Sequence, residues 1–261
     1  MSLGLLLITA CRTTVPTVQA ASAPDAHARL AQQNVDAVIY QNSSAEVHRL
    51  YQQGYELARI RLDANLARPH TKPPAVIVDI DETVLDNSPS NATDAASGRT
   101  FTPVEWKKST ALASAKALPG AVDFLTYAVG KGCEVYYISN REMDEEAATI
   151  KNLRETGFPM ADEAHVLPMA GTSDKTARRA EVAQTHYIAL LVGDQLTDFD
   201  ESFKARGVDH GKPHVDALRD TLERYFIMLP NPMYGTWLNS VSGPEKLKLD
   251  NKEHFLRSVG Y

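Results

Sequence analysis

From about Pro24 to Ala67 apolar positions recur at spacings of three and four, through Leu30, Val35, Val38, Ile39, Val47, Leu50, Tyr51 and Leu57. That period winds an apolar stripe onto a helix, and the polar triplet Asn42-Ser43-Ser44 interrupts it, so the spacing predicts two helices. Each stripe needs a surface to cover it, which predicts packing on or beside a second layer.

After Pro73 the period changes. Unbroken apolar runs appear, AVIVD at 75–79, CEVYYIS at 133–139, IALLVGD at 188–194 and YFIMLP at 225–230, separated by amphipathic stretches. Continuous runs rich in Val and Ile suit strands covered on both faces, and the helical stretches between them suit right-handed crossovers. The expected fold is α/β, a doubly wound, Rossmann-like parallel sheet with a helical N-terminal and cap region. Ligands in such folds bind beyond the carboxyl ends of the strands, where the first three runs end in a polar residue. Residues 86–118 break the alternation, being rich in small residues and carrying Phe101 and Trp106. They are placed to roof the end of the first strand. The expected organisation is a signal-like segment at 1–11, a tether at 12–24, N-terminal helices at 25–72 packing on the core, and a core at 73–261 with a cap insert at about 86–118.

Composition then narrows the function. The 261 residues are 43% hydrophobic and 23% charged, with net charge -6 and pI near 5.8. This suits a globular core and excludes a broad basic face for a nucleic-acid polymer. The two cysteines, Cys11 and Cys133, form neither a disulfide framework nor a zinc motif. Cys133 opens an apolar run and reads as a core side chain. MSLGLLLITAC resembles a bacterial lipoprotein signal in which Cys11 is acylated, although no Lys or Arg precedes Arg12. The expected location is the outer membrane, facing the periplasm or the exterior, with a soluble periplasmic or secreted protein as the alternative. Roughly six consecutive apolar residues fall far short of the ~20 that a membrane span needs.

The chemistry concentrates in VIVDIDETVLDNS at 76–88, where no Lys or Arg lies between Pro74 and Gly98. If the strands ending in Asp79/Asp81 and Asp194/Asp198 are neighbours, these carboxylates converge and cannot all stay ionised without compensation. A hard divalent cation with oxygen ligands answers that need, and Mg²⁺ also accepts phosphate oxygens. Ser139-Asn140-Arg141 ends the second run and offers a hydroxyl and backbone N–H groups to an anion, while Lys175 opens a helix before the strand carrying Asp194. The eight histidines are scattered and match no catalytic signature; His165 and His186 read as packing or surface residues.

The order Asp-x-Asp-x-Thr, Ser after an apolar strand, Lys, then Gly-Asp-x-x-x-Asp resembles the haloacid dehalogenase superfamily. More narrowly, VIVDIDETVLDNS and LLVGDQLTDF, with FTPVEWKK, ALPGAVDF, ISNRE and LPNPMYGTW, are similar to the class C acid phosphatases, bacterial phosphomonoesterases that include outer-membrane lipoproteins. The resemblance implies a Mg²⁺-dependent acid phosphatase acting on small phosphomonoesters, 5'-nucleotides among them, through an aspartyl-phosphate. Asp79 matches the nucleophile, and Asp81 the general acid and then base. The carboxylates of Asp79 and Asp194, with the backbone carbonyl of Asp81, match the metal ligands, and Asp198 supports them. Ser139 and Lys175 match the phosphate-binding pair, Thr83 is expected to fix Asp81, and Tyr234 matches a substrate-pocket aromatic. A homodimer is also implied.

Two positions depart from the family pattern: Ser90 stands where Tyr is usual, and Gln195 where Asn or Glu is usual. They keep open the reading of a lipoprotein that binds a nucleotide or other ligand without chemistry. A phosphotransferase on the same fold is a further alternative, since it shares every site residue and differs only in what enters after Asp79 is phosphorylated.

Overall fold

The computed structural model describes residues 25–243 and 248–260. The expected acylation at Cys11 and the tether at 12–24 lie outside the described residues.

Strands β1 (Pro74–Val78), β4 (Glu134–Glu142), β5 (Val166–Met169), β6 (Tyr187–Gly193) and β7 (Phe226–Met228) form a single sheet, with the short strands β2 (Leu85–Asp86) and β3 (Lys116–Ala117) outside it. The sheet is parallel in every pairing and runs β5-β4-β1-β6-β7. Its central strand shows why the run at 75–78 is apolar throughout. Val76 and Val78 enter one core with Tyr51, Leu62, Phe124 and Leu190, while Ala75 and Ile77 enter the other with Ile138, Val182 and Phe226. A strand alternates its side chains, so a strand covered on both faces has no polar position to spare.

Helices α1 (Ala26–Gln33), α2 (Val35–Ser43) and α3 (Ala45–Leu66) precede the sheet. The break at Ser44 is the expected one: its hydroxyl caps α3 by accepting the Glu46 and Val47 N–H groups at 3.1 and 3.2 Å. A further break falls at Asn34, whose N–H closes α1 on the Ala31 carbonyl, so the stretch holds three helical segments rather than two. Helix α3 buries Tyr51, Tyr55, Ala58 and Leu62 along one stripe against β6, β7 and the later helix at 121–130. Two of these side chains end in hydroxyls that leave the core for the loop after β1. Tyr51 Oη lies 2.8 Å from the carbonyls of both Glu82 and Pro230 and accepts from Gln41 Nε2 at 2.8 Å, and Tyr55 Oη donates to the Thr83 carbonyl.

The insert rises from the two-stranded antiparallel stem β2–β3, Leu85 opposite Ala117 and Asp86 opposite Lys116. It carries α4 (Ser88–Ala96) and α5 (Pro103–Thr110), and α1 and α2 pack against α4. The remaining helices that matter to the site are α6 (Ala121–Gly130), α7 (Glu146–Glu155), α8 (Thr176–Thr185) and the single turn α9 (Leu196–Phe199).

The α3 tyrosine hydroxyls supply polar partners to carbonyls of the buried loop after β1. Tyr51→Phe leaves buried carbonyl and amide groups unpaired and is expected to lower unfolding free energy by about 2 kcal/mol, read by urea denaturation. A loss below about 0.5 kcal/mol would show that the loop does not depend on this contact.

Candidate active site

Because β1 lies between β4 and β6, three strand ends meet at one edge. Asp79 follows β1 directly, its N–H continuing the ladder to the Val192 carbonyl at 3.0 Å, and Asp194 directly follows β6. The chain then turns through Gln195 into α9, which returns Asp198. Oxygens of Asp79, Asp194 and Asp198 lie within 4.8 Å of one another, and all three residues are buried.

That return is tight enough to require a glycine. A Cβ on Gly193 would lie 2.5 Å from Asp198 Oδ2 and 2.7 Å from Asp198 Cβ, so any side chain there expels the third carboxylate. Asp198 Oδ2 accepts the Gln195 N–H at 2.9 Å, closing a capping box across α9.

Lys175, the residue before α8, is buried among these acids. Its Nζ is ion-paired with Asp79 Oδ1 and lies 2.7 Å from Asp198 Oδ1. Burial opposes its charge, but Asp198 and Asp79 outweigh that and hold the ammonium above its ordinary value. Asp79 is pushed well up by burial; Lys175 pulls it down, while Asp198, Asp194 and Asp81 add to the rise. Asp194 is pushed up to about 7 by burial and by the charge on Asp198, against hydrogen bonds from Gln195 and Asn231. One ammonium does not balance three buried carboxylates, and the shifts register the shortfall as bound protons. A hard divalent cation taking carboxylate oxygens fits this donor set.

Asp81 faces elsewhere. Its carboxylate accepts Arg141 Nη2 at 2.7 Å, Arg141 Nε at 3.0 Å and Asn87 Nδ2 at 2.8 Å. Arg141 is itself fully buried, held by Thr149 Oγ1 at 3.2 Å and lying 5.7 Å from the Trp106 ring centre. The carboxylate is thus clamped between the core strand β4 and the first residue of the insert. Thr83, expected beside Asp81, turns instead to Asp194, donating to Oδ1 at 3.4 Å. The neighbouring Glu82 is wholly buried with φ +56°, and burial followed by the charges of Asp81 and Asp194 pushes its carboxyl well up. Of its oxygens only Oε1 has a partner, the Asn87 N–H at 2.9 Å.

Ser139 is buried at the same edge, its Oγ accepting the Arg141 N–H at 3.1 Å. Gln195, a departure from the family pattern, bridges two segments of the site. Its Nε2 donates to Asp194 Oδ2 at 2.8 Å while Oε1 accepts the Thr236 N–H at 3.0 Å. It ties the acid to the loop 231–236, where Asn231 Nδ2 makes a second 2.8 Å bond to the same oxygen. Gly235 permits the approach, since a Cβ there would collide with the Gln195 carboxamide. Tyr234 lies in this loop, its carbonyl accepting the Trp237 indole N–H at 3.1 Å. Phe101 and Trp106, ring centres 6.2 Å apart, belong to the insert, and Phe101 is exposed.

The remaining candidate residues stand apart. His165 and His186 flank Glu134 at the opposite, amino ends of β5, β6 and β4, with His186 Nε2 3.1 Å from Glu134 Oε2. Cys133 is buried immediately before β4, and burial pushes its thiol up to about 11. Sequence reading places the acids, Ser139 and Lys175 but misses Arg141, Asn87 and Asn231 as their partners. Arg141 does stand in the quoted ISNRE run two positions beyond Ser139, and strand alternation sends both side chains to one face.

A family model described as HAD superfamily, subfamily IIIB (acid phosphatase), matches residues 5–237. Acid phosphatase 1 of Solanum lycopersicum is 26% identical over 158 residues, which are 60% of this chain and 57% of that protein. This chain therefore spans just over half the length of that relative. The class C acid phosphatase of Bacillus anthracis superimposes with a TM-score of 0.83 at 38% identity, covering 89% of this chain and 98% of the other. A second structure of that Bacillus enzyme, with tungstate bound, gives a TM-score of 0.83 at 36% identity over 89% and 99% of the two chains. With nearly its whole length matched by the family model, this chain belongs to the haloacid dehalogenase superfamily, subfamily IIIB, the acid phosphatases.

Proposed function

We propose that this protein is a Mg²⁺-dependent acid phosphatase hydrolysing small phosphomonoesters, 5'-nucleotides among them, through an aspartyl-phosphate on Asp79. The observation that carries the reading is the meeting of Asp79, Asp194 and Asp198 around buried Lys175 at the carboxyl end of the central strand. The tungstate bound by the Bacillus relative, an oxyanion with phosphate-like geometry, supports it.

Asp79 attacks phosphorus, and the bond to the ester oxygen breaks as that oxygen takes a proton from Asp81. Asp81, now ionised, removes a proton from water as the water attacks the phosphorus of the aspartyl-phosphate, which frees phosphate and restores both acids. Lys175 offsets charge on the nucleophile and the phosphoryl oxygens, and the Ser139 hydroxyl with the adjacent backbone N–H groups holds the remaining oxygens. Arg141 and Asn87 fix the position of the Asp81 carboxylate. The carboxylates of Asp79 and Asp194, with the Asp81 backbone carbonyl and support from Asp198, would hold Mg²⁺, which supplies positive charge to the phosphoryl oxygens as the transition state forms. Trp106 and Tyr234 are the aromatics suited to an aryl or nucleoside leaving group, and with Ser90 in place of the usual Tyr we expect broad rather than strict nucleoside preference. Acylation at Cys11 would hold the enzyme at the outer membrane.

Asp79→Asn is expected to lower hydrolysis of p-nitrophenyl phosphate by about 10³-fold or more while the protein stays folded. EDTA should abolish wild-type turnover and Mg²⁺ restore it. Wild-type turnover in Asp79→Asn would refute the covalent mechanism. Asp81→Asn should slow alkyl phosphates far more than p-nitrophenyl phosphate, whose leaving group needs little protonation; an equal loss on both would remove Asp81 as the acid.

A second expectation concerns the metal-free protein. The native state keeps Asp194 protonated up to about 7 rather than the ordinary 3.8, so it holds more protons than the unfolded chain across that window and loses stability as pH rises through it. Asp194→Asn removes that loss. It should raise the Tm of EDTA-treated protein at pH 8 and change it little at pH 4, whereas a Tm lowered at pH 8 would contradict the charge imbalance.

A further inference from the structure

Helix α8 presents three cations to the site edge: Lys175 at its start, then Arg178 and Arg179 three and four positions on. Successive helix residues are about 100° apart, so the two arginines diverge to either side of the helix axis. Arg178 Nη1 donates to the carbonyls of Ser139 at 2.5 Å and Leu167 at 3.2 Å, and its Nη2 to Asn140 Oδ1 at 3.0 Å and the Asp174 carbonyl at 3.4 Å. Arg179 Nη1 donates to the carbonyls of Asp198 at 3.0 Å and Thr197 at 3.4 Å, and its Nη2 to Thr176 Oγ1 at 3.1 Å. One guanidinium holds the carboxyl-terminal part of β4 to β5, and the other holds the turn after β6.

Every one of these acceptors is neutral. Partial burial of a cation without a carboxylate partner carries a desolvation cost that neutral side chains would avoid. What a neutral residue cannot supply is the rigid multi-donor fork, which lets a single side chain fasten carbonyls from separate segments. Lys175 meanwhile bridges Asp79 and Asp198, so α8 touches the end of each of the three central strands.

We infer that Arg178 and Arg179 are positioning residues that divide the site between them. Arg178 sets the end of β4 at Ser139 that receives the phosphate group, and Arg179 sets Asp198 and through it the cation site. Neither guanidinium bonds to Asp79, Asp81 or Asp194, so both act through the residues they hold. The inference rests on the phosphatase reading above, and it makes a claim that reading does not, namely that anion binding and cation binding separate between adjacent residues.

The experiment measures two binding constants by methods that need no turnover: inorganic phosphate by calorimetry at saturating Mg²⁺, and Mn²⁺ by electron paramagnetic resonance on metal-free protein. Arg178→Ala should weaken phosphate about tenfold and leave Mn²⁺ within about twofold. Arg179→Ala should do the reverse. Arg178→Lys and Arg179→Lys, which keep a charge and one carbonyl contact, should each recover part of the lost affinity, and they replace any alanine variant whose melt shows it unfolded. A purely structural role would lower Tm and weaken both ions together, and that result, or no effect on either ion, overturns the inference. A wild-type protein that binds neither ion overturns the phosphatase reading itself and this inference with it.

Discussion

A single buried ammonium between carboxylates sets the terms for the whole site. Lys175 is ion-paired with both Asp79 and Asp198, and Asp194 lies within the same cluster. Coulomb attraction in a medium less polarisable than water is strong, yet removing each charge from water is expensive, and here the negative charges outnumber the positive. Metal-free, the cluster answers by holding protons, as the raised Asp79 and Asp194 show. On the proposed function, a divalent cation held by these carboxylates would supply the missing positive charge.

The scaffold can be understood as what this cluster needs to exist. Parallel pairing places the ends of β4, β1 and β6 side by side, and only the central position gives Asp79 neighbours from both sides. Tyr51 and Tyr55 send hydroxyls from the core face of α3 to the carbonyls of Glu82 and Thr83, so the first acidic loop is held from beneath. Gly193 leaves the space that Asp198 fills. Asp81 is separated from the cluster by its own clamp, Arg141 and Asn87, which gives two carboxylates two positions apart different surroundings.

Much of this is legible in the sequence, and the exceptions have physical causes. The acids at 79, 81, 194 and 198 announce themselves because apolar runs end in them, and a charge at the end of a buried strand is rarely idle. The strand at 166–169 does not, since VLPM is short, contains proline and lies at the sheet edge, where less burial is demanded. The break at Asn34 is hidden because the apolar spacing continues through it. Side-chain direction is harder still: Thr83 and Asp81 are two residues apart on an irregular loop whose positive φ at Glu82 redirects the chain beyond it, so Thr83 reaches Asp194 instead. Gln195 reads in sequence as a departure, while in the fold it joins Asp194 to the loop bearing Tyr234.

The most direct test is a calorimetric titration of Mg²⁺ into metal-free protein at pH 7, in two buffers of different ionisation enthalpy, beside Asp194→Asn. A buried acid cluster short of positive charge should bind one Mg²⁺ with release of protons to the buffer, and Asp194→Asn should bind at least about tenfold more weakly with fewer protons released. Absence of Mg²⁺ binding in the wild type, or equal affinity and proton release in the variant, would contradict the assignment of these carboxylates to a cation site.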